Sequence, residues 1–373
     1  MKNYREKRLI QKLLEPIGIQ IDGTEPADIH VHNPDFYPAV LARGSMALGE
    51  SYMAGWWDCL ALDQFFYHVM KAQLDKKVRA SRDALWAALK ARLLQKTSRE
   101  KAFEIGRRHY DIGNDLFTVM LDQQMNYSCA YWKQADDLDA AQEAKLDLIC
   151  RKLMLKEGMR VLDIGCGWGG FAVFAAKNYG VEVVGITVSQ EQVELARERI
   201  AGLSVTIELK DYRDLHERFD RIVSIGMFEH VGLPNYRKYM ELVFRCLNSE
   251  GLFLLHTIGG NTSTNTTDPW LEKYIFPNSM LPSASQISAA AEGLFVMEDW
   301  HSFGHYYDRT LMAWHKNFTD NWDQLNSVYD KSFFRMWRYY LLSCAGAFRS
   351  RRNHLWQIVF SKIEREGGYE TIR

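Results

Sequence analysis

The stretch from Val161 to Gly170 reads VLDIGCGWGG. An apolar run ends at Asp163-Ile164, and Gly165, Gly167, Gly169 and Gly170 follow, with Cys166 and Trp168 between them. Glycines placed directly after a strand permit a tight turn and let backbone approach a ligand closely. The loop is therefore a candidate cofactor cradle, formed by Asp163, Gly165, Cys166, Gly167, Trp168 and Gly169. The series Gly165-x-Gly167-x-x-Gly170 also fits the dinucleotide spacing. A phosphate loop needs a closing Lys-Ser/Thr pair, and none is present.

Read from Asp163, the same residues give D-x-G-x-G-x-G after a strand, which is typical of S-adenosylmethionine methyltransferases. Both dinucleotide and methyltransferase folds usually carry an acid at the end of the second strand, where it bonds ribose hydroxyls. Here that strand, VEVVGIT, ends at Thr187 without one. Ser189 and Gln192 fit a helix capping box. Thr187, Ser189 and Gln192 are also candidates to take over the ribose hydroxyls. After the third strand, Asp211-Tyr212 is positioned to meet an adenine amino group, although a lone Asp at a strand end is more often a turn residue.

The elements that must position these residues alternate. Gln142–Leu153 reads as a helix, Arg160–Ile164 as a buried strand, Phe171–Asn178 as a helix and Val181–Ile186 as a strand. A helix over Gln190–Ile200 and strands over Val205–Leu209, Arg221–Ile225 and Gly251–His256 follow. This rhythm predicts an α/β fold with a mostly parallel sheet and helices on both faces. The catalytic domain is placed at 109–373, a polar and basic linker at 96–108, and a smaller amino-terminal domain at 1–95. Within the latter, Leu85, Leu89 and Leu93 fall four apart with Trp86 beside them, and Lys90, Arg92 and Lys96 lie on other faces. Such a basic amphipathic helix suits an anionic lipid surface, or else packs its stripe inside its own domain.

Composition sets the limits. Apolar residues make up 47% of the 373-residue chain and charged residues 25%, the balance of a globular protein. A formal net charge of −1 gives no reason to expect nucleic acid. The charge is unevenly placed, however: Lys71 to Arg108 holds twelve Lys/Arg against four Asp/Glu, a local excess of +8. The six cysteines lie at least sixteen positions apart, so no zinc-ligand spacing exists. The first residues lack the uninterrupted apolar core of a signal peptide, and no run of about 18 apolar residues could span a bilayer. The expectation is a cytoplasmic protein that reaches lipid from the inner membrane surface.

Two further stretches narrow the reading. One is His109-Tyr110-Asp111-Ile112-Gly113-Asn114-Asp115-Leu116-Phe117, continuing to Met125-Asn-Tyr127-Ser128-Cys129-Ala130-Tyr131-Trp132. The other is Gly226-Met-Phe-Glu229-His230-Val-Gly232. With VLDIGCGWGG, Leu254–Gly259 (LLHTIG) and Tyr306-Tyr307-Asp308, they resemble the cyclopropane-fatty-acid synthases over nearly the whole chain. The segment Gly49–Trp57 (GESYMAGWW) is similar to the bacterial phospholipid branch. The mycolic acid branch looks similar only from about Arg107.

The resemblance implies a class I S-adenosylmethionine fold and a definite chemistry. An acyl-chain alkene attacks the sulfonium methyl group, a carbocation forms, a proton leaves the new methyl and a ring closes. A bound bicarbonate is implied as proton acceptor, with ligands corresponding to Cys129, Glu229, His256 and Tyr307 and backbone near Ile258. Tyr127 and Ser128 are implied at the cofactor. Cys344 is a further candidate, of low rank because the alkene is itself the nucleophile. Phe228, Tyr274, Phe276 and Tyr306 are candidates to face the cation, and Trp270–Pro282 is expected to line the acyl tunnel. Each has a bland rival: a buried core cysteine, a histidine bonding backbone, an acid at a helix start, a core tyrosine. Two other readings stay open, a lipid methyltransferase that closes no ring and a non-catalytic lipid-surface protein. The amino-terminal domain is expected to dock on a phospholipid bilayer or to form a homodimer contact.

Overall fold

A computed structural model describes residues 3–74 and 112–373. The expected linker at 96–108, the Leu85/Leu89/Leu93 stripe, most of the basic block and His109-Tyr110-Asp111 lie outside the described residues. The chain forms two compact units. One draws on residues 1–116, 267–277 and 311–352, the other on 117–266, 278–310 and 353–373.

The first unit contains a short antiparallel pair, β1 (His30–Val31) and β2 (Trp57–Asp58), among helices. Trp57 is fully buried, with its ring 5.1 Å from Tyr52 and 5.5 Å from Phe65. Arg335 of helix Lys331–Arg349 donates to the Tyr52 and Trp57 carbonyls and pairs with Asp58 at 2.7 Å. Gly49 is required by Trp270, because a Cβ there would lie 2.4 Å from its indole ring. Glu50, one residue on, is buried and accepts from Arg43, Lys273 and the Tyr274 hydroxyl. The expected tunnel segment is thus in part an anchor: Trp270 is buried, and the Phe276 ring stands edge-on to Tyr340 at 5.5 Å.

The second unit is built on a seven-stranded sheet. Its strands are β3 (Arg160–Ile164), β4 (Glu182–Thr187), β5 (Val205–Leu209), β6 (Phe219–Ile225), β7 (Leu247–Gly260), β8 (Val296–Ser302) and β9 (Asn353–Ser361). The order is β5-β4-β3-β6-β7-β9-β8. The first five strands run parallel, as expected of buried apolar runs joined by helices. β9 then returns antiparallel to β7 and carries β8 on its far edge. The sheet is buried on both sides: Leu162, Ile222 and Phe253 belong to one apolar cluster, and Val161, Val223 and Leu254 to another. Strand order reverses between β3 and β6, and the carboxyl ends of those two strands form the crevice where such sheets bind ligands.

Candidate active site

Gly165, Gly167 and Gly169 all have positive φ, at 81°, 55° and 80°. A side chain at Gly165 would press within 2.7 Å of Met227, whereas Gly167 faces open space. The loop is therefore packed where it leaves β3 and accessible at its crest. Cys166 and Trp168 are buried beside it, and burial raises the Cys166 thiol beyond the ordinary range. Asp163 is 1% exposed and its Oδ1 has no hydrogen-bond partner among the described residues. Burial pushes this carboxyl up to about 7, against a smaller pull from the Lys145 charge. A ligand ammonium would satisfy the empty oxygen and restore the ionised form. S-adenosylmethionine carries an ammonium, so these residues fit it.

At the end of β4 the polar residues are closed on one another. The Thr187 hydroxyl donates to Gln192 Oε1 at 2.7 Å, and Ser189 Oγ accepts from the Gln192 amide at 3.4 Å as the helix cap. Asp211 is held by Arg213, which reaches Oδ1 through Nε at 2.8 Å and Oδ2 through its terminal nitrogen at 2.6 Å. That grip keeps the Asp211 carboxyl below its ordinary range, with the Arg213 side chain itself exposed. Tyr212 is half-buried against Tyr239 at 5.3 Å.

Residues 122–129 form a strap against the glycine loop. A Cβ on Gly170 would lie 2.6 Å from the Gln124 carbonyl oxygen. Arg199 donates to the carbonyls of Gln123, Gln124 and Trp168, tying strap to loop. From helix Leu138–Lys152, the wholly buried Lys145 donates to Asn126 Oδ1 at 3.0 Å and Ser128 Oγ at 3.1 Å. Gln142 holds the Ser128 carbonyl at 2.9 Å. Burial lowers Lys145 to about 8, and Asp122, Cys129 and Asp163 act against that loss. The strap presents Tyr127, whose ring packs on Phe117 at 5.1 Å, itself 4.9 Å from Trp168. Next come Ser128 and Cys129, the latter fully buried, with its thiol raised far above the ordinary range by desolvation.

Across the β3/β6 crevice, Glu229 lies in the short turn Phe228–His230 that follows β6. Its Oε1 accepts from the Ile258 backbone N–H at 2.6 Å, and its Oε2 has no hydrogen-bond partner among the described residues. Burial pushes the carboxyl up to about 7, and the Thr257 hydroxyl exerts a small opposing pull on it. His256 precedes Ile258 by two positions on β7, is 1% exposed, and has an unpartnered Nε2. Burial foremost, then the Lys145 and Lys152 charges, holds it well below its ordinary value, so the imidazole is neutral. Its ring lies 6.1 Å from Phe303. Tyr131 packs edge-on to both Phe303 and Tyr306. Thr310 Oγ1 accepts from the Ala130 N–H at 3.1 Å and from Trp132 Nε1 at 2.9 Å. These contacts seat the Cys129 segment on the first turns of helix His305–Asp320, where Tyr307 is buried one turn before Thr310. Cys129, Glu229, His256 and Tyr307 therefore all belong to the second unit, within one web of contacts that meets the glycine loop through the strap.

Cys344 belongs to the first unit, partly buried in helix Lys331–Arg349, with its thiol pushed up to about 12 by desolvation. Phe228 stacks on Tyr236 at 4.2 Å inside the core. Lys145, Gln142, Arg199, Thr310 and Gln357 were not singled out from sequence. A signal existed for two of them. Gln142 and Lys145 share a helical face with Ile149, and polar residues on an apolar stripe are informative.

A profile described as mycolic acid cyclopropane synthetase matches residues 97–358. The chain belongs to this family. It is 56% identical to the cyclopropane-fatty-acyl-phospholipid synthase of Escherichia coli K12 over 356 residues, covering 95% of this chain and 93% of that one. A probable fatty acid methyltransferase of Pseudomonas putida is 38% identical, over 70% of each chain. Among solved structures, the cyclopropane synthase MmaA2 of Mycobacterium tuberculosis superposes with a TM-score of 0.64 at 30% identity, covering 68% of this chain and 96% of that one. The mycolic acid cyclopropane synthase CmaA1, solved with SAH and CTAB, gives 0.64 at 33% identity, with 68% and 96% covered. The second unit accordingly has the class I S-adenosylmethionine methyltransferase fold of this family of enzymes.

Proposed function

We propose that the chain transfers a one-carbon unit from S-adenosylmethionine to the cis double bond of an unsaturated phospholipid acyl chain and closes a cyclopropane ring. The observation that carries the ring-closing step is two buried atoms with no partner among the described residues, Glu229 Oε2 and His256 Nε2. Glu229 follows the end of β6, where Ile225 lies opposite His256 of β7, and bonds Ile258 two residues further on. Native interiors rarely leave such atoms empty, and one small polar group pairing with both would satisfy them.

S-adenosylmethionine supplies an electrophilic methyl carbon when bound. Asp163 takes its ammonium, the glycine backbone lies along its body, and the strap holds Tyr127 and Ser128 against it. The alkene electron pair forms the new C–C bond and leaves a cation on the acyl chain. Loss of a proton from the transferred carbon releases a C–H electron pair, which closes the ring. A carboxylate taking that proton directly would need access to it, and Glu229 is buried with its ionised form disfavoured. A bicarbonate fits better. A histidine N–H at His256 and the Tyr307 hydroxyl would hold it as donors, and Glu229 Oε2 would accept its O–H or share a proton with it. The neutral state of His256 and the raised Glu229 carboxyl both suit an uncharged cradle for one anion. The +8 block between Lys71 and Arg108 would draw the enzyme onto an anionic inner-membrane surface as a peripheral protein. Among the described residues no helix is long and apolar enough to cross a membrane. A homodimer contact is the alternative use of the amino-terminal segment.

The second reading, methyl transfer without ring closure, is favoured by the 38% identity to a probable fatty acid methyltransferase. One experiment separates them. The protein is incubated with methyl-labelled S-adenosylmethionine and unsaturated phospholipid vesicles, and the acyl chains are analysed by mass and proton NMR. Label in upfield cyclopropane protons is expected. Label in a ring-free methyl would establish the second reading, and absence of label from lipid would refute both.

A further inference from the structure

β9 runs antiparallel to β7, and their register sets Gln357 directly opposite His256. Gln357 is 0% exposed. Its side-chain nitrogen lies 3.3 Å from His256 Nδ1, while His256 Nε2 and Gln357 Oε1 have no partner among the described residues. A neutral imidazole carries one N–H, and an amide NH₂ can only donate. The Gln357 amide therefore requires Nδ1 to accept and the imidazole proton to sit on Nε2. Turning the amide over would make Nδ1 the donor to Oε1 and leave Nε2 a bare acceptor, with no proton to offer the anion that the proposed function places there. Around the ring, helix Leu138–Lys152 contributes only the cations Lys145 and Lys152, β9 the amide, and the Phe303 side an apolar face. None of these offers a carboxylate to draw the proton onto Nδ1.

We infer that Gln357 is a positioning residue that holds His256 as its Nε2–H tautomer, so that His256 enters the reaction as a hydrogen-bond donor to an anion and not as the base. This rests on the reading that His256 serves ring closure. It adds the residue that sets the direction of the hydrogen bond. The proton from the new methyl would then leave on the bound anion, because His256 Nε2 already carries one and Nδ1 is engaged by Gln357.

The test uses full-length protein labelled with ¹⁵N-histidine. The His256 signals are assigned by their loss in His256→Gln, and long-range ¹H–¹⁵N correlation reads the tautomer. In the unmodified enzyme a pyridine-like Nδ1 and a protonated Nε2 are expected. In Gln357→Glu the carboxylate pulls the proton to Nδ1, and ring formation should fall about 100-fold while SAH affinity stays within about twofold. Gln357→Leu removes the amide without adding charge. It should give mixed tautomers and a loss of about tenfold. A protonated Nδ1 in the unmodified enzyme overturns the inference. So does a switched tautomer in Gln357→Glu with turnover within about threefold of normal. The underlying reading fails separately, if His256→Gln closes rings at the normal rate.

Discussion

Glu229 is asked both to stay folded in an apolar place and to present an empty oxygen. Folding raises its carboxyl from an ordinary 4.5 to about 7. A raised acid contributes its full stability while protonated, below the unfolded value, and loses it as pH climbs from about 4.5 through about 7. Above that window the ionised group costs on the order of 3 kcal/mol. Glu229→Gln keeps an acceptor for Ile258 N–H and removes the charge. It should raise the thermal midpoint at pH 8 relative to the unmodified enzyme, leave it nearly unchanged at pH 4, and lower cyclopropane formation at least about 100-fold. An unchanged midpoint at pH 8 in scanning calorimetry would show that the carboxylate is not held against its ionisation. At this scale the sequence was legible where a motif spoke. Glu229, His256 and Cys129 all stand in runs that match the family. Gln357 was silent, because a Gln in a strand looks like a surface residue until a partner such as His256, 101 positions away, is in place.

The strap between residues 122 and 129 carries no regular structure, yet most of the polar groups on it are spoken for. Asp122 accepts from the Gln124 and Asn126 amides and from the Asn126 side chain, and Met125 sits at a φ of 56°. Order here comes from hydrogen bonds, and the three carbonyl contacts of Arg199 are the link to the glycine loop. Arg199→Leu should therefore weaken SAH binding about tenfold by calorimetry, with helix content by circular dichroism unchanged. Equal affinity would mean that the loop keeps its form unaided. The regular elements were easier to read. β3 and β5 begin and end where the apolar runs do, and β4 and β6 differ by a residue or two. β8 and β9 went unread, since antiparallel strands that follow helices leave no βαβ rhythm to detect. No local pattern announces that Gln357 will face His256.

The first unit is assembled from pieces far apart in the chain. Trp270 fills the space that Gly49 leaves, Arg349 pairs with Asp63 at 2.6 Å across 286 residues, and Gly346 admits the backbone of Tyr67. An amino-terminal boundary at 95 therefore describes the sequence better than the packing. A truncated chain of residues 109–373 should expose the apolar faces of Trp270 and helix Lys331–Arg349. It should bind a hydrophobic dye such as ANS and melt without a sharp transition. Adding residues 1–95 as a separate chain should reverse both, and a sharply melting, dye-free truncation would show that those faces find other cover. The same arrangement has a consequence in time. A ribosome adding 5–20 residues per second needs roughly 15 to 60 s to travel from Asp63 to Arg349. For that interval the first part of the chain to emerge has no core to join, and Trp57, Phe65 and Phe66 wait as clients for whatever chaperone meets the nascent protein.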